Sequence, residues 1–427
     1  MSRKAALQHV TKQGRGPSGA TVTRRLTLDE AQEQIRRCLF PVAARKLIPA
    51  ADGVNRILAS DLAAPLDMPP QNRAALDGYA FRSADLPAVA SAHLHVIGRS
   101  VAGHPFAGKI GPGEAIRILT GGSVPTDADT VILQEACQEQ HGVVSFPVAE
   151  AAKNHIRRRG EDFRIGDTVL RQGHRLQPVD LGMVAACGMP ILPVYESLRV
   201  ALFSTGDELV EPGLTLQPGQ MWDANRTMLR ALISETGATV TDLGILPDNE
   251  ADMLEAMTGA AHEHDLIVTS GGMSVGDEDH VKQVIRRRGR LELWRLAIKP
   301  GKPVGFGDID DCPIIGLPGN PVAAIVTFLL LGRPALLRLS GCLEAPNRSL
   351  RLPLAAALTK EAGRREFLLG KTVTSDDGMT AVEPVSKRGS AMLSALLEAD
   401  GLIDLDEAAT EIAAGQPVAY LPLRRPR

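Results

Sequence analysis

Two glycine-containing runs carry side chains suited to phosphate chemistry: residues 204–208 (STGDE) and residues 270–279 (SGGMSVGDED). Ser204, Thr205 and Gly206 open the first run, and Ser270, Gly271 and Gly272 open the second. Paired glycines let the backbone turn its amides toward an anion, and a helix starting just beyond adds a partial positive end, so the second run has the make-up of a phosphate cradle. A plain glycine turn edged with surface acids has the same composition. Residues 299–303 (KPGKP) set Lys299 and Lys302 on a turn stiffened by proline, as an oxyanion or phosphate site needs. Two solvated lysines would read the same way. Residues 317–321 (LPGNP) stop an apolar strand and launch a helix through Asn320 and Pro321, with Pro318 in the turn. Carboxylates gather in these stretches and in neighbouring loops: Asp207, Glu208, Asp223, Asp248 and Asp279. Beside a phosphate cradle they imply a hard divalent cation, magnesium, shared with phosphate oxygens. Asp223 reads equally well as the cap of a following helix.

A second constellation lies earlier: Asp77 in ALDGYA, Thr120 in ILTGG, and Arg157, Arg158 and Arg159 with Glu161 and Asp162 in IRRRGED. A triple-arginine turn is commonly a solvated face, but Gly160 and the acids after it suggest a shaped loop able to hold an anion. His155, His174 and His280 have no metal-ligand spacing, and no Ser/His/Asp or Cys/His arrangement is readable.

The elements that must position these residues alternate between residues 198 and 341. Residues 200–203, 239–243, 266–269 and 314–317 read as buried strands of a parallel sheet covered on both faces. Between them lie helical stretches at 224–236, 250–262, 279–288 and 322–339, the last with a break near Pro334. In such a sheet, ligands bind beyond the carboxyl ends of the strands, where the runs described above fall. Upstream, residues 27–39 suggest a capped amphipathic helix, and short runs at 94–97, 115–119 and 130–133 suggest a β-rich domain. The fold class is therefore multidomain α/β plus β. A disordered tail (1–25) precedes a bridging domain (26–69 plus 157–197) with a β-rich domain inserted in it (70–156). A central doubly wound α/β domain (198–346) and a small C-terminal β-barrel (347–427) complete the expected layout.

Composition limits the partners. With 47 basic against 50 acidic side chains, no overall field favours nucleic acid or an anionic membrane. The expected partners are small molecules and further copies of the chain. Five scattered cysteines without a CxxC pair fit a reducing cytoplasm. The longest strongly apolar run, residues 322–331, is about half the length of a membrane-spanning helix. The basic first 25 residues lack the apolar stretch of a secretory signal.

From about residue 25 onward, DGYA, TGGSVP, IRRRGED, STGDEL, SGGMSVGDED, IKPGKP and GLPGNP follow in an order and spacing similar to molybdopterin molybdenumtransferases and the C-terminal domain of gephyrin. The resemblance implies a homodimer of elongated four-domain subunits. Its α/β domain would hold adenylated molybdopterin, and Mg2+ and molybdate would complete the reaction with release of AMP. It also implies that Asp77, Thr120, Arg157 and Asp162 face the site from the partner subunit. Glu208, Asp248, Asp279, Lys299, Pro318 and Pro321 match pocket positions, and Ser390 and Ser394 match a serine-containing segment near the cleft. Other cofactor-assembly proteins and apo-molybdoenzymes are the implied protein partners. The chain departs from the family's pattern at Gln71, Ala74, Arg295 and Asp400, which bears on anion placement more than on reaction type. Two other readings are an adenylyltransferase, which would share only the α/β domain, and a non-enzymatic scaffold, which an added partner-binding domain or long linker would favour.

Overall fold

The structure, a computed structural model, describes residues 25–88, 91–273, 280–343, 349–374, 378–386 and 389–423. The chain divides into two compact units, one formed by Met1–Ser60, Gln172–Leu181 and Pro190–Arg427, the other by Asp61–Arg171 and Gly182–Met189.

The first unit is built on a seven-stranded sheet. Its order is Arg25–Leu26, Gly289–Leu296, Pro303–Ile309, Cys312–Leu317, Leu266–Ser270, Arg199–Thr205 and Thr239–Leu246. The last four are the strands expected from sequence, and they run parallel. Val200 and Leu202 enter one core with Leu229 and Ile233, while Ala201 and Phe203 enter another with Met253 and Met257. Burial on both faces is why Arg199–Thr205, Leu266–Ser270 and Cys312–Leu317 are apolar along most of their length, while the edge strand Thr239–Leu246 is largely exposed or half-buried and carries Asp242. The sheet is nevertheless mixed, because Pro303–Ile309 pairs antiparallel with both of its neighbours. It joins the next strand through Asp310 and Asp311, both at positive φ (48° and 67°), which is the two-residue hairpin turn matched to strand twist. Arg25, expected in a disordered tail, instead pairs with Arg295 at the sheet edge.

Helix Leu28–Cys38 starts with a capping box in which Thr27 accepts from the Glu30 amide and Glu30 accepts from the Thr27 amide. Its buried Leu28, Ala31 and Ile35 join the core that holds Leu317, Phe328 and Leu336. The helix also meets a backbone need. The stretch from Pro321 to Leu339 does not break at Pro334 but runs on through a π-helical segment, Phe328–Gly332, into Arg333–Leu339. Pro334 has no N–H to donate to the carbonyl four residues back, and Gln32 Nε2 donates to that Leu330 oxygen at 2.9 Å. Gln32→Leu should therefore lower stability by about 1–3 kcal/mol by orphaning a buried acceptor. Calorimetric melting checks this, and an unchanged Tm would mean that the carbonyl is satisfied without Gln32. The 19-residue helical stretch is long and apolar enough to cross a membrane, but 78% of its apolar window is buried in this core.

The C-terminal part of the unit is a second sheet, ordered Ile298–Lys299, Arg365–Thr374, Gly401–Leu405, Pro417–Pro422 and Leu350–Pro353, with Thr380–Pro384 also on Arg365–Thr374. A bridge from Leu354 to Val382 joins its two margins. Ile298–Lys299 pairs with Arg365 and Glu366, so the KPGKP turn begins inside the C-terminal sheet.

The second unit carries a six-stranded sheet ordered Thr130–Leu133, Gly78–Phe81, Glu114–Ile118, Ser91–Ser100, Val143–Pro147 and Gln138–Gln140. Arg73–Ala74 pairs separately with Ile156–Arg157, setting Arg73 opposite Arg157.

Candidate functional site

A cavity of about 1300 Å³ opens in the first unit at the carboxyl ends of the parallel strands. The first loop contributes Thr205, Gly206 and Glu208, and the second contributes Ser270, Gly271 and Gly272. Gly271 and Gly272 sit at φ of +94° and +67°. A Cβ on Gly271 would lie 2.5 Å from the Thr205 carbonyl oxygen, so the two loops meet through a position that admits only glycine. The Gly271 amide is already engaged, donating to the Leu317 carbonyl at 3.1 Å. It extends the sheet rather than serving a ligand, which corrects the reading of both glycine amides as cradle donors.

Asn225 binds these loops to the next. Its Nδ2 donates to Ser270 Oγ at 2.9 Å and to the Gly319 carbonyl at 2.6 Å. Pro318 and Pro321 line the cavity on either side of that carbonyl. Asn320 does not cap the helix it precedes; its Nδ2 donates to Ser390 Oγ at 3.1 Å, and the Val322 amide donates to the Ser390 carbonyl at 3.0 Å. Ser390 is thereby brought into the cavity wall, while Ser394 lies on helix Leu393–Glu398, outside the lining.

The charges are arranged unequally. Lys299 and Lys302 both line the cavity, but Lys299 Nζ is paired at 2.9 Å with the buried Glu366 of the C-terminal sheet. Lys302 forms no ion pair with a described residue and is the ammonium left for an anion. Asp223 caps helix Ala224–Ser234 and is held by Arg226 Nε at 3.0 Å. Arg226 also bonds Asp242 and Glu211. Burial works against its charge, but hydrogen bonds to these three carboxylates outweigh it and push its pKa above the ordinary arginine value.

Asp223 is thus committed to structure. Asp207 and Asp248 are exposed and outside the cavity lining, and Asp279 lies outside the described residues. Ser204, next to last in its strand, is fully buried, with no hydrogen-bond partner for its hydroxyl among the described residues. No group of three His, Cys, Asp or Glu side chains able to hold a metal occurs among the described residues. Glu208 remains as a cavity carboxylate without a structural partner among them. One such carboxylate fits magnesium, which commonly keeps several waters and shares phosphate oxygens instead of filling a protein cage.

In the second unit the structure joins Asp77 to Thr120. Asp77 Oδ1 accepts from the Thr120 amide and hydroxyl, each at 2.7 Å, and these two bonds hold the carboxyl below the usual aspartate range. The IRRRGED stretch is a shaped loop. Gly160 has φ +67°, Glu161 accepts from the Arg158 amide at 2.8 Å, and Arg159 Nε meets Asp67 at 2.5 Å. Arg157 Nε lies 3.8 Å from Glu161, and the Asp162 amide donates to the Met68 carbonyl at 3.0 Å.

Sequence reasoning missed Asn225 and Glu366. Asn225 stands three residues before Met228 in an ordinary helical pattern, and Glu366 sits in a strand that carries no motif. Only the fold shows what each one holds.

Three family models match successive parts of the chain. They are the MoeA N-terminal region (domain I and II) over residues 26–188, a probable molybdopterin binding domain over 201–338, and the MoeA C-terminal region (domain IV) over 351–423. A molybdopterin molybdenumtransferase of Haemophilus influenzae is 38% identical over 93% of this chain and 98% of its own. Molybdopterin molybdenumtransferase 2 of Mycobacterium tuberculosis is 37% identical over 86% of this chain and 92% of its own. The crystal structure of a molybdopterin biosynthesis MoeA protein from Pyrococcus horikoshii superposes with a TM-score of 0.80 at 27% identity, covering 93% of this chain and all of that one.

Proposed function

The chain belongs to the molybdopterin molybdenumtransferase family, and from that membership we propose that it moves molybdenum from molybdate into adenylated molybdopterin with release of AMP. The observation that carries this reading is the convergence of three strand-end loops, 205–208, 270–272 and 318–321, on one cavity that also holds Lys302. A doubly wound sheet binds its ligand at this end. Lys302 would attract the phosphate groups of the substrate, and the glycines at 271 and 272 would let backbone approach them closely. The Lys299–Glu366 pair would hold the C-terminal wall against the α/β wall. Glu208 would bind magnesium, which when present offsets phosphate charge and eases departure of AMP.

We further propose a homodimer in which Asp77 and Thr120, together with Arg157 and Asp162, complete the partner's site. The Thr120 bonds that keep Asp77 ionised support a role for it as a fixed carboxylate. All five cysteines are free thiols, which supports placement in a reducing cytoplasm.

The test is incubation of the purified protein with adenylated molybdopterin, magnesium and molybdate while AMP is followed by chromatography. AMP should appear only with both ions present. Full activity in excess chelator would remove magnesium from the reading, and no AMP under complete conditions would overturn the transferase assignment.

A further inference from the structure

Among the Phe, Tyr and Trp side chains whose burial is described, Trp222 is the only one that is exposed rather than buried or half-buried, at 52%. It lines the cavity described above. Its ring is held in place: the indole Nε1 donates to the Leu214 carbonyl at 2.9 Å. The backbone beneath it is fixed as well. Met221–Trp222 pairs with Leu209–Val210, the Met221 amide donates to the Glu208 carbonyl at 2.8 Å, and the Asp223 amide donates to Val210 at 3.0 Å. Exposing a large apolar ring to water is unfavourable unless something covers it. A ring already fixed by its own hydrogen bond loses little freedom when a flat partner settles on it.

We propose that Trp222 stacks against a fused heteroaromatic ring of the substrate. The inference rests on the reading of this cavity as the site of adenylated molybdopterin, a molecule that carries two such rings, the purine of its AMP half and the pterin. Stacking on an indole face suits either ring, because both present a flat π surface. Trp222 is then a binding residue for the substrate's ring, separate from the groups that hold its phosphates.

The experiment measures binding of three probes, AMP, neopterin and ribose 5-phosphate, by calorimetry and by tryptophan fluorescence. AMP or neopterin, whichever carries the stacked ring, should bind and quench fluorescence. Ribose 5-phosphate, which has no ring, should not quench. Trp222→Ala should weaken binding of the quenching probe by about 5- to 100-fold. Trp222→Phe should keep most of the affinity while losing the quench. Quenching by AMP alone assigns the purine, and quenching by neopterin alone assigns the pterin. The proposal is overturned if neither probe binds, or if Trp222→Ala keeps its fold by circular dichroism and binds the ring-bearing probes as tightly as wild type. These readouts separate the two inferences. AMP release by the unaltered enzyme together with unchanged probe binding by Trp222→Ala would remove the stacking role alone. Ring-dependent quenching in a protein that never releases AMP would remove the transferase reading alone.

Discussion

Asp77→Ala and Glu208→Ala, each expected to lose about 100-fold or more of AMP release as a pure homodimer, should restore about a quarter of wild-type activity when their subunits are mixed. The reasoning follows from symmetry. If a site takes Asp77 from one subunit and Glu208 from the other, a mixed C2 dimer concentrates both lesions in one site and leaves the other intact. Random exchange makes about half the dimers mixed, each with one working site of two. If both residues served a site within one subunit, every site would carry a lesion and nothing would return. Differently tagged chains establish that exchange has occurred. Activity no higher than the parents after confirmed exchange would reject the shared site.

Gly271→Ala is expected to lose about 100-fold in activity, because a displacement near 1 Å at a positioning loop can cost that much. The substituted Cβ would lie 2.5 Å from the Thr205 carbonyl oxygen, which is backbone and cannot swing aside as a side-chain tip could. The residue also sits at φ +94°, where an L side chain is strained. Gly415→Ala separates the two effects, since Gly415 has φ +79° but open space around it. It should cost stability through backbone strain alone and keep AMP release. Equal activity loss in both variants would show that strain, and not the contact with Thr205, governs the loop.

The parallel strands of the α/β sheet were legible because burial on both faces leaves continuous apolar runs such as Val200–Leu202 and Leu266–Val268. Strand Gly289–Leu296 was written as plainly, with Arg290 and Glu292 alternating with Leu291 and Leu293, but it borders a basic helix end that reads as surface. Pro303–Ile309 was hidden by its two internal glycines, Gly305 and Gly307. A Cβ at Gly305 would lie 2.3 Å from Met273 Sδ, so close packing explains that glycine better than any turn does. At the site, the motif residues with unusual backbone were readable, because glycine and proline announce their geometry. The commitments of charged groups were not. Lys299 looks like free chemistry until Glu366 appears beside it, and that partner depends on Ile298–Lys299 meeting Arg365–Thr374 in the C-terminal sheet, whereas Asp223, already readable as a helix cap, is held by Arg226 three residues further along the same helix.

The bond from Gln32 to the Leu330 carbonyl spans 298 residues of sequence. It bears on how freely the α/β segment could be shuffled among proteins as a module. Excised at its sequence boundaries, the segment would keep its own strands and the loops at 205–208, 270–272 and 318–321 but lose the edge strand Arg25–Leu26 and, from its largest core, Leu28, Ala31 and Ile35, and with them the donor to the carbonyl that Pro334 leaves without a partner. A recombinant that carried the segment alone would need a replacement for both, a polar group at the carbonyl and an apolar stripe over the helix. The α/β segment and the leading helix are thus heritable together, so a crossover between residues 38 and 198 should yield soluble hybrids only when the two parents match at this distant seam.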